Sequence, residues 1–97
     1  MEAQFLELTG ISNSGTSIIN NGTISGTTIG IDNLSNGTAN IINGNIFAEN
    51  EDSSVQTIGV DNKSGGTVNV SNGTISATSI GIASAGEILI TGGSTTG

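Results

Sequence analysis

The chain has 97 residues, eight of them acidic, with one Lys, no Arg and no His, so its formal net charge is −7. Cys, Pro, Trp and Tyr are absent, and the aromatic residues are Phe5 and Phe47. This balance argues against nucleic acid or an anionic membrane as a partner, since both need clustered Lys or Arg, and it excludes disulfides and thiol chemistry.

The first eight residues, MEAQFLEL, are the only helix-compatible stretch; the β-branched residues, Gly, Asn and Ser that follow are poor helix formers. This segment is acidic and lacks the basic and apolar regions of a signal peptide. No apolar run in the chain approaches membrane-spanning length, so no membrane insertion is expected. A polar, Gly-rich chain of this kind could be disordered. Evenly spaced Ile residues set among turn formers are instead a strand signal.

A repeat begins at Gly10-Ile11-Ser12-Asn13, Gly15-Thr16-Ser17-Ile18-Ile19 and Asn21-Gly22-Thr23-Ile24-Ser25-Gly26. The same order returns at Ile29-Gly30-Ile31-Asp32-Asn33, Gly37-Thr38-Ala39-Asn40-Ile41 and Asn43-Gly44-Asn45-Ile46-Phe47-Ala48. It returns again at Ile58-Gly59-Val60-Asp61-Asn62, Gly66-Thr67-Val68-Asn69-Val70 and Asn72-Gly73-Thr74-Ile75-Ser76-Ala77. A fading copy runs Ile80-Gly81-Ile82, Gly86-Glu87-Ile88-Leu89-Ile90 and Gly92-Gly93. The period is about 20 to 22 residues, except in the second copy, which carries an insertion of about seven residues around Glu49–Val55. Internal self-similarity at a fixed period predicts a stack in which each strand pairs with its own equivalent. The expected fold is all-β, a parallel β-solenoid of about four three-stranded coils forming a single domain over 1–97. The coils fall roughly at 8–28, 29–57, 58–79 and 80–97.

Alternation sends successive side chains to opposite faces, which gives the inward columns. The first strand offers Ile29, Ile58 and Ile80, then Ile11, Ile31, Val60 and Ile82. The second offers Ser17, Ala39, Val68 and Ile88, then Ile19, Ile41, Val70 and Ile90. The third offers Ile24, Ile46 and Ile75, then Gly26, Ala48 and Ala77. Two Asn columns, Asn13, Asn33, Asn62 and Asn21, Asn43, Asn72, suit corners and can hydrogen-bond along the axis as ladders. The Asn-Gly pairs in the second column also suit type I′ hairpins, so an antiparallel meander is the competing fold.

The repeated string GT-x-N-[IV]-x-NG-x-I, seen at Gly37–Ile46 and Gly66–Ile75, resembles the right-handed parallel β-helix repeats of pectin-lyase-like and autotransporter-passenger-like bacterial surface proteins. The resemblance spans nearly all of residues 8–93 and implies a parallel β-helix. The family includes polysaccharide lyases, adhesins, phage tailspikes and plain scaffolds. Its polysaccharide-cleaving members use basic residues and calcium-binding carboxylates. Those do not carry over to this chain, where Lys63 stands alone in a turn.

No enzyme is expected. Asp32 and Asp61 share a column, where like charges repel, and are expected to be solvated corner residues. No cofactor is implied. Glu49, Glu51 and Asp52, with Asn50, are weak candidates for a calcium site, because they offer hard oxygen ligands. The six N-x-[ST] sequons arise from composition alone. Outward Thr23, Ser25, Thr74 and Ser76 suggest a remote ice-binding alternative, interrupted by Asn45 and Phe47. Ile18, Phe47 and Leu89 point outward, and Leu34 and Ile42 lie in turns; Ile42 and Phe47 flank one corner and are a possible lateral contact. The last coil ends polar, with Thr95 in the column of Ile24, Ile46 and Ile75, and Phe5-Leu6-Glu7-Leu8 can supply part of a preceding coil. An uncapped, self-similar stack adds copies of itself head to tail. The leading expectation is therefore a structural subunit of a filament or extracellular fibre, its partner being itself. The alternative is an adhesin or glycan-binding module of a larger bacterial or phage β-helix protein, meeting a glycan or host surface. Both place the chain outside the cell or at its surface.

Overall fold

The computed structural model describes residues 9–52 and 54–97. The helix-compatible segment and the partial coil expected at Phe5–Leu8 lie outside the described residues. Twelve strands follow in order: β1 (Thr9–Asn13), β2 (Thr16–Ile19), β3 (Gly22–Gly26), β4 (Ile29–Asn33), β5 (Thr38–Ile41), β6 (Gly44–Ala48), β7 (Ile58–Asn62), β8 (Thr67–Val70), β9 (Gly73–Ala77), β10 (Ile80–Ser84), β11 (Glu87–Ile90) and β12 (Ser94–Thr96). They form three four-stranded sheets, ordered β1-β4-β7-β10, β2-β5-β8-β11 and β3-β6-β9-β12. Every pairing is parallel. The chain is thus a parallel β-solenoid of four three-stranded coils, and the hairpin meander is excluded.

Each strand pairs with its own equivalent one repeat on. Ile11, Ile31, Val60 and Ile82 stack in one column. Ile19, Ile41, Val70 and Ile90 stack in another, and Ile24, Ile46, Ile75 and Thr95 in a third. The middle coils enclose these columns completely: Ile31, Ala39, Ile46, Val60, Val68 and Ile75 have no exposed surface. The last coil differs: Ile90 and Thr95, the ends of the second and third columns, are exposed. Ile90 is 48% exposed, against 1% for Ile41 and 2% for Val70 in the same column. No described coil lies beyond β11, so one side of Ile90 is left open, whereas Ile19, at the other edge of the column, is 6% exposed.

Strict alternation fails at one place. Ile29, Ile58 and Ile80 are only half-buried and stand outside the core cluster, whereas the next residue, Gly30, Gly59 or Gly81, is buried. These glycines occupy an interior position against the third strand. A Cβ on Gly30 would lie 2.5 Å from Ile46 Cγ2 and 2.6 Å from the Gly59 carbonyl oxygen; one on Gly59 would lie 2.6 Å from Ile75 Cγ2. The glycine column makes room for the third-strand isoleucines. The inward positions of the first strand are therefore its centre and its last residue, which is Asn33 or Asn62 in the middle coils.

The corner after β4 closes as a turn in which Gly37 N–H donates to the Leu34 carbonyl at 2.9 Å. Asn36 takes φ 66° there, the left-handed value a type II turn requires at its third residue. Gly65, at φ 83°, does the same one coil later.

Gly30→Ala forces a methyl group into backbone and core that cannot yield cheaply, and is expected to cost about 1–3 kcal/mol. At Gly15 a Cβ meets nothing within 4 Å, so Gly15→Ala is expected to stay within about 1 kcal/mol of wild type, on the stabilising side. Urea denaturation of the two variants measures the contrast.

Candidate functional site

The polar chemistry of the chain concentrates along its axis. Asn13, Asn33 and Asn62 end successive first strands and are buried. The amide of Asn13 donates to Asn33 Oδ1 at 2.9 Å, and that of Asn33 to Asn62 Oδ1 at 2.8 Å. Each amide also donates to the glycine carbonyl of its own corner (Gly15, Gly37, Gly66) and to a carbonyl of the next coil (Thr38, Thr67, Glu87), at 2.9–3.3 Å. The ladder ends where Asn62 donates to Ser84 Oγ at 3.1 Å. Among the described residues no buried side-chain donor or acceptor lacks a partner.

The second Asn column is different in kind. Asn43 donates to Asn21 Oδ1 at 2.6 Å and Asn72 to Asn43 Oδ1 at 3.4 Å, all three exposed. A further pair, Asn69 to Asn40 at 2.8 Å, lies on the outer face of the second sheet. Sequence reasoning did not single it out, although both residues recur at one position of the repeat.

Two readings of charged residues are corrected. Asp32 and Asp61 do stack, but Lys63 is not alone in its turn: its Nζ lies 2.7 Å from Asp32 Oδ1 and 2.7 Å from Asp61 Oδ2. The single Lys of the chain clamps two coils and offsets part of the repulsion between the two carboxylates. These hydrogen bonds, the one to Asp32 first and then that to Asp61, hold the Lys63 ammonium above its ordinary value of 10.5.

Glu49, Glu51 and Asp52 are not assembled into a metal site; no three such side chains converge among the described residues. Asp52 Oδ1 is turned into the loop, where it accepts from the Ser54 hydroxyl at 2.7 Å and the Ser54 N–H at 3.0 Å. These bonds hold its carboxyl below the usual range. Asn50 anchors the insertion instead, donating from its side chain to the Thr27 carbonyl and from its backbone to Thr78 Oγ1. Thr57 closes it: its buried hydroxyl accepts from Ser79 N–H at 2.8 Å.

Of the two residues expected to flank a lateral contact, Ile42 is exposed and Phe47 half-buried in the row Ser25–Phe47–Ser76. Among the described residues the most exposed large apolar side chains lie elsewhere, at Ile18 (62%) and Leu89 (59%), in the first and last coils. Comparison with protein-family models, with curated proteins and with solved structures returns no significant match.

Asn33→Ala removes four hydrogen bonds from the interior and leaves the Gly37 carbonyl and its neighbours without their donor. It is expected to cost about 2–3 kcal/mol, whereas Asn43→Ala on the exposed ladder costs about 0.5 kcal/mol or less. Thermal unfolding of both variants checks this.

Lys63→Met is expected to cost about 1 kcal/mol or less at low salt, because the clamp is partly open to solvent, and less still at high salt. A lysine whose value is raised by folding stabilises fully below its unfolded value and loses that contribution as pH rises through the folded one. The difference between wild type and Lys63→Met should therefore hold from neutral pH up to the ordinary lysine value of 10.5 and close above it. A denaturation series against pH measures it.

Proposed function

We propose that the chain is a structural subunit whose copies stack end to end into a β-solenoid fibre. The observation that carries this reading is the open last coil. Ile90 is 48% exposed at the end of an inward column that the middle coils close, with Ile41 at 1% and Val70 at 2%. A parallel stack ends in unpaired strand edges, which proteins otherwise block with charges, proline, bulges or a helix. Among the described residues no helix or further strand lies over β10, β11 and β12. A further coil of the same kind satisfies the backbone groups and covers the columns at once. A second copy of the chain supplies such a coil, and since the contact does not close on itself it propagates.

A second reading rests on the same open end. In a longer bacterial or phage surface protein the next coil comes from the same chain, and the module presents a side for adhesion or glycan contact. The outward row Thr16, Thr38, Thr67 is a regular run of hydroxyls of that kind. The likeness to pectin-lyase-like and autotransporter-passenger-like repeats agrees with either reading and with a place outside the cell or on its surface.

Negative-stain microscopy of the concentrated protein separates them. The fibre reading expects thin unbranched filaments with an axial repeat of about 19 Å, four strand spacings. A protein that stays monomeric in sedimentation at every concentration is the outcome of the second reading.

A further inference from the structure

The register of the second sheet places Ile18, Asn40, Asn69 and Leu89 in one outward row. In the two middle coils this row is polar and self-satisfied, Asn69 donating to Asn40 at 2.8 Å. In the two end coils it is apolar. Ile18 and Leu89 are the two most exposed large hydrophobic side chains described. Within one copy they stand three coils apart, about 14 Å, so they cannot cover each other. The neighbouring inward row changes as well, from Ala39 and Val68 in the middle to Ser17 at one end and Ile88 at the other.

We infer that copies join head to tail in unshifted register, with Leu89 of one copy packed beside Ile18 of the next. This rests on the end-to-end reading above and specifies its joint. The same register sets Ile90 beside Ile19 and Ile82 beside Ile11, and covers the surface that Ile90 leaves open. A joint related by a two-fold axis reverses strand direction and so cannot continue the parallel ladder in all three sheets.

Backbone polarity agrees. At the corners, outside the strand ladders, the later coil donates and the earlier one accepts: Leu34, Lys63 and Ala85 to Asn13, Asn33 and Asn62; Thr38, Thr67 and Glu87 to Gly15, Gly37 and Gly66; Ile42, Ser71 and Thr91 to Ile19, Ile41 and Val70, all at 2.8–2.9 Å. The next acceptors in these series are the carbonyls of Ser84, Gly86 and Ile90. The corresponding donors in a first coil are the N–H groups of Ser14, Thr16 and Asn20. Among the described residues no like-charged pair meets at the joint. Residues 9–28 contain no charged side chain, and Glu87 comes to lie over Thr16, the next member of its column.

The chain has no cysteine, so the joint can be trapped. Adjacent parallel strands lie about 4.8 Å apart, within disulfide range. Full-length Ile18→Cys and Leu89→Cys variants are mixed, oxidised and run without reductant, while wild-type protein is imaged in parallel. The joint expects a cross-linked dimer in the mixture that neither variant forms alone, and a ladder of multimers from the double variant. Leu89→Asn, at a site exposed in the single copy, is expected to leave unfolding unchanged and to raise the concentration at which filaments appear. Filaments whose cross-links join two Ile18→Cys or two Leu89→Cys chains overturn the joint and leave end-to-end assembly standing. Wild-type protein that forms no filament overturns both.

Discussion

A primary amide enclosed in an aliphatic interior is tolerated only when its donors and its acceptor are all engaged, since an unpaired polar group there costs several kcal/mol. Asn33 meets that condition through groups of three successive coils: it accepts from Asn13, donates within its own corner to Gly37, and donates across to Asn62 and Thr67. Each requirement is geometric. The corner must turn directly after the asparagine, and the next coil must lie beneath it with its own asparagine at the same height. The aliphatic columns make no such demand, because burial of Ile, Val and Ala is non-directional. A slip of one residue would exchange Asn33 for Asp32 and turn a satisfied amide into a buried carboxylate facing carbonyls. The columns hold the coils together, and the amide ladder decides how they are aligned.

The alignment survives an insertion because of where the insertion leaves the stack. The second repeat is 29 residues long, against 20 and 22 for its neighbours, yet β6 and β9 pair without a shift. The extra residues depart at the corner between β6 and β7. Asn50 ties them to the coil before and the coil after, and Thr57 returns the chain to the Ile80 and Ser79 backbone. Lengthening a corner loop costs little entropy, so the coil geometry is free of it. The Lys63 clamp depends on the same fact, since Asp32 and Lys63 are 31 residues apart and meet only because the loop between them is set aside.

How much of this was legible follows from what a sequence period encodes. A fixed repeat tells which residues share a column, so Ile31 over Val60 could be read without coordinates, and with it the parallel stack. It does not tell whether a column is covered, which is why Ile90 looks like Ile41 in sequence and is half open in space. Alternation assigns Ile29, Ile58 and Ile80 inward because it counts residues and ignores volume. The glycine beside each has no Cβ and takes the interior place against Ile46 or Ile75. The clamp was hidden because it joins a residue of the turn to two of the strand, across a loop whose length alone says nothing of where it goes. The asparagine ladder was visible as a column of like residues, while its burial was not, since corners are ordinarily solvated.

The two kinds of ladder also differ in what they say about direction. Along the axis the buried amides point from the first coil to the last, Asn13 to Asn33 to Asn62. Those nearer the surface, exposed in Asn72 to Asn43 to Asn21 and half-buried in Asn69 to Asn40, point the other way. Only the first direction is enforced. Each buried nitrogen also faces a glycine carbonyl, which an amide oxygen could not do without repulsion, so the buried amides cannot flip. The exposed amides have no such neighbour and follow one another's orientation. Ser84 then closes the enforced series: it accepts from Asn62, and its single proton goes to the Gly86 carbonyl at 3.2 Å. A hydroxyl cannot hold its own corner and pass the ladder on, as asparagine does with two amide protons. A joint beyond Ser84 therefore lacks one rung that every internal interface between the asparagine-bearing coils possesses. Its strength must come from backbone pairing and apolar cover, and the apolar side chains of the outward row stand at its two ends, where the rung is missing.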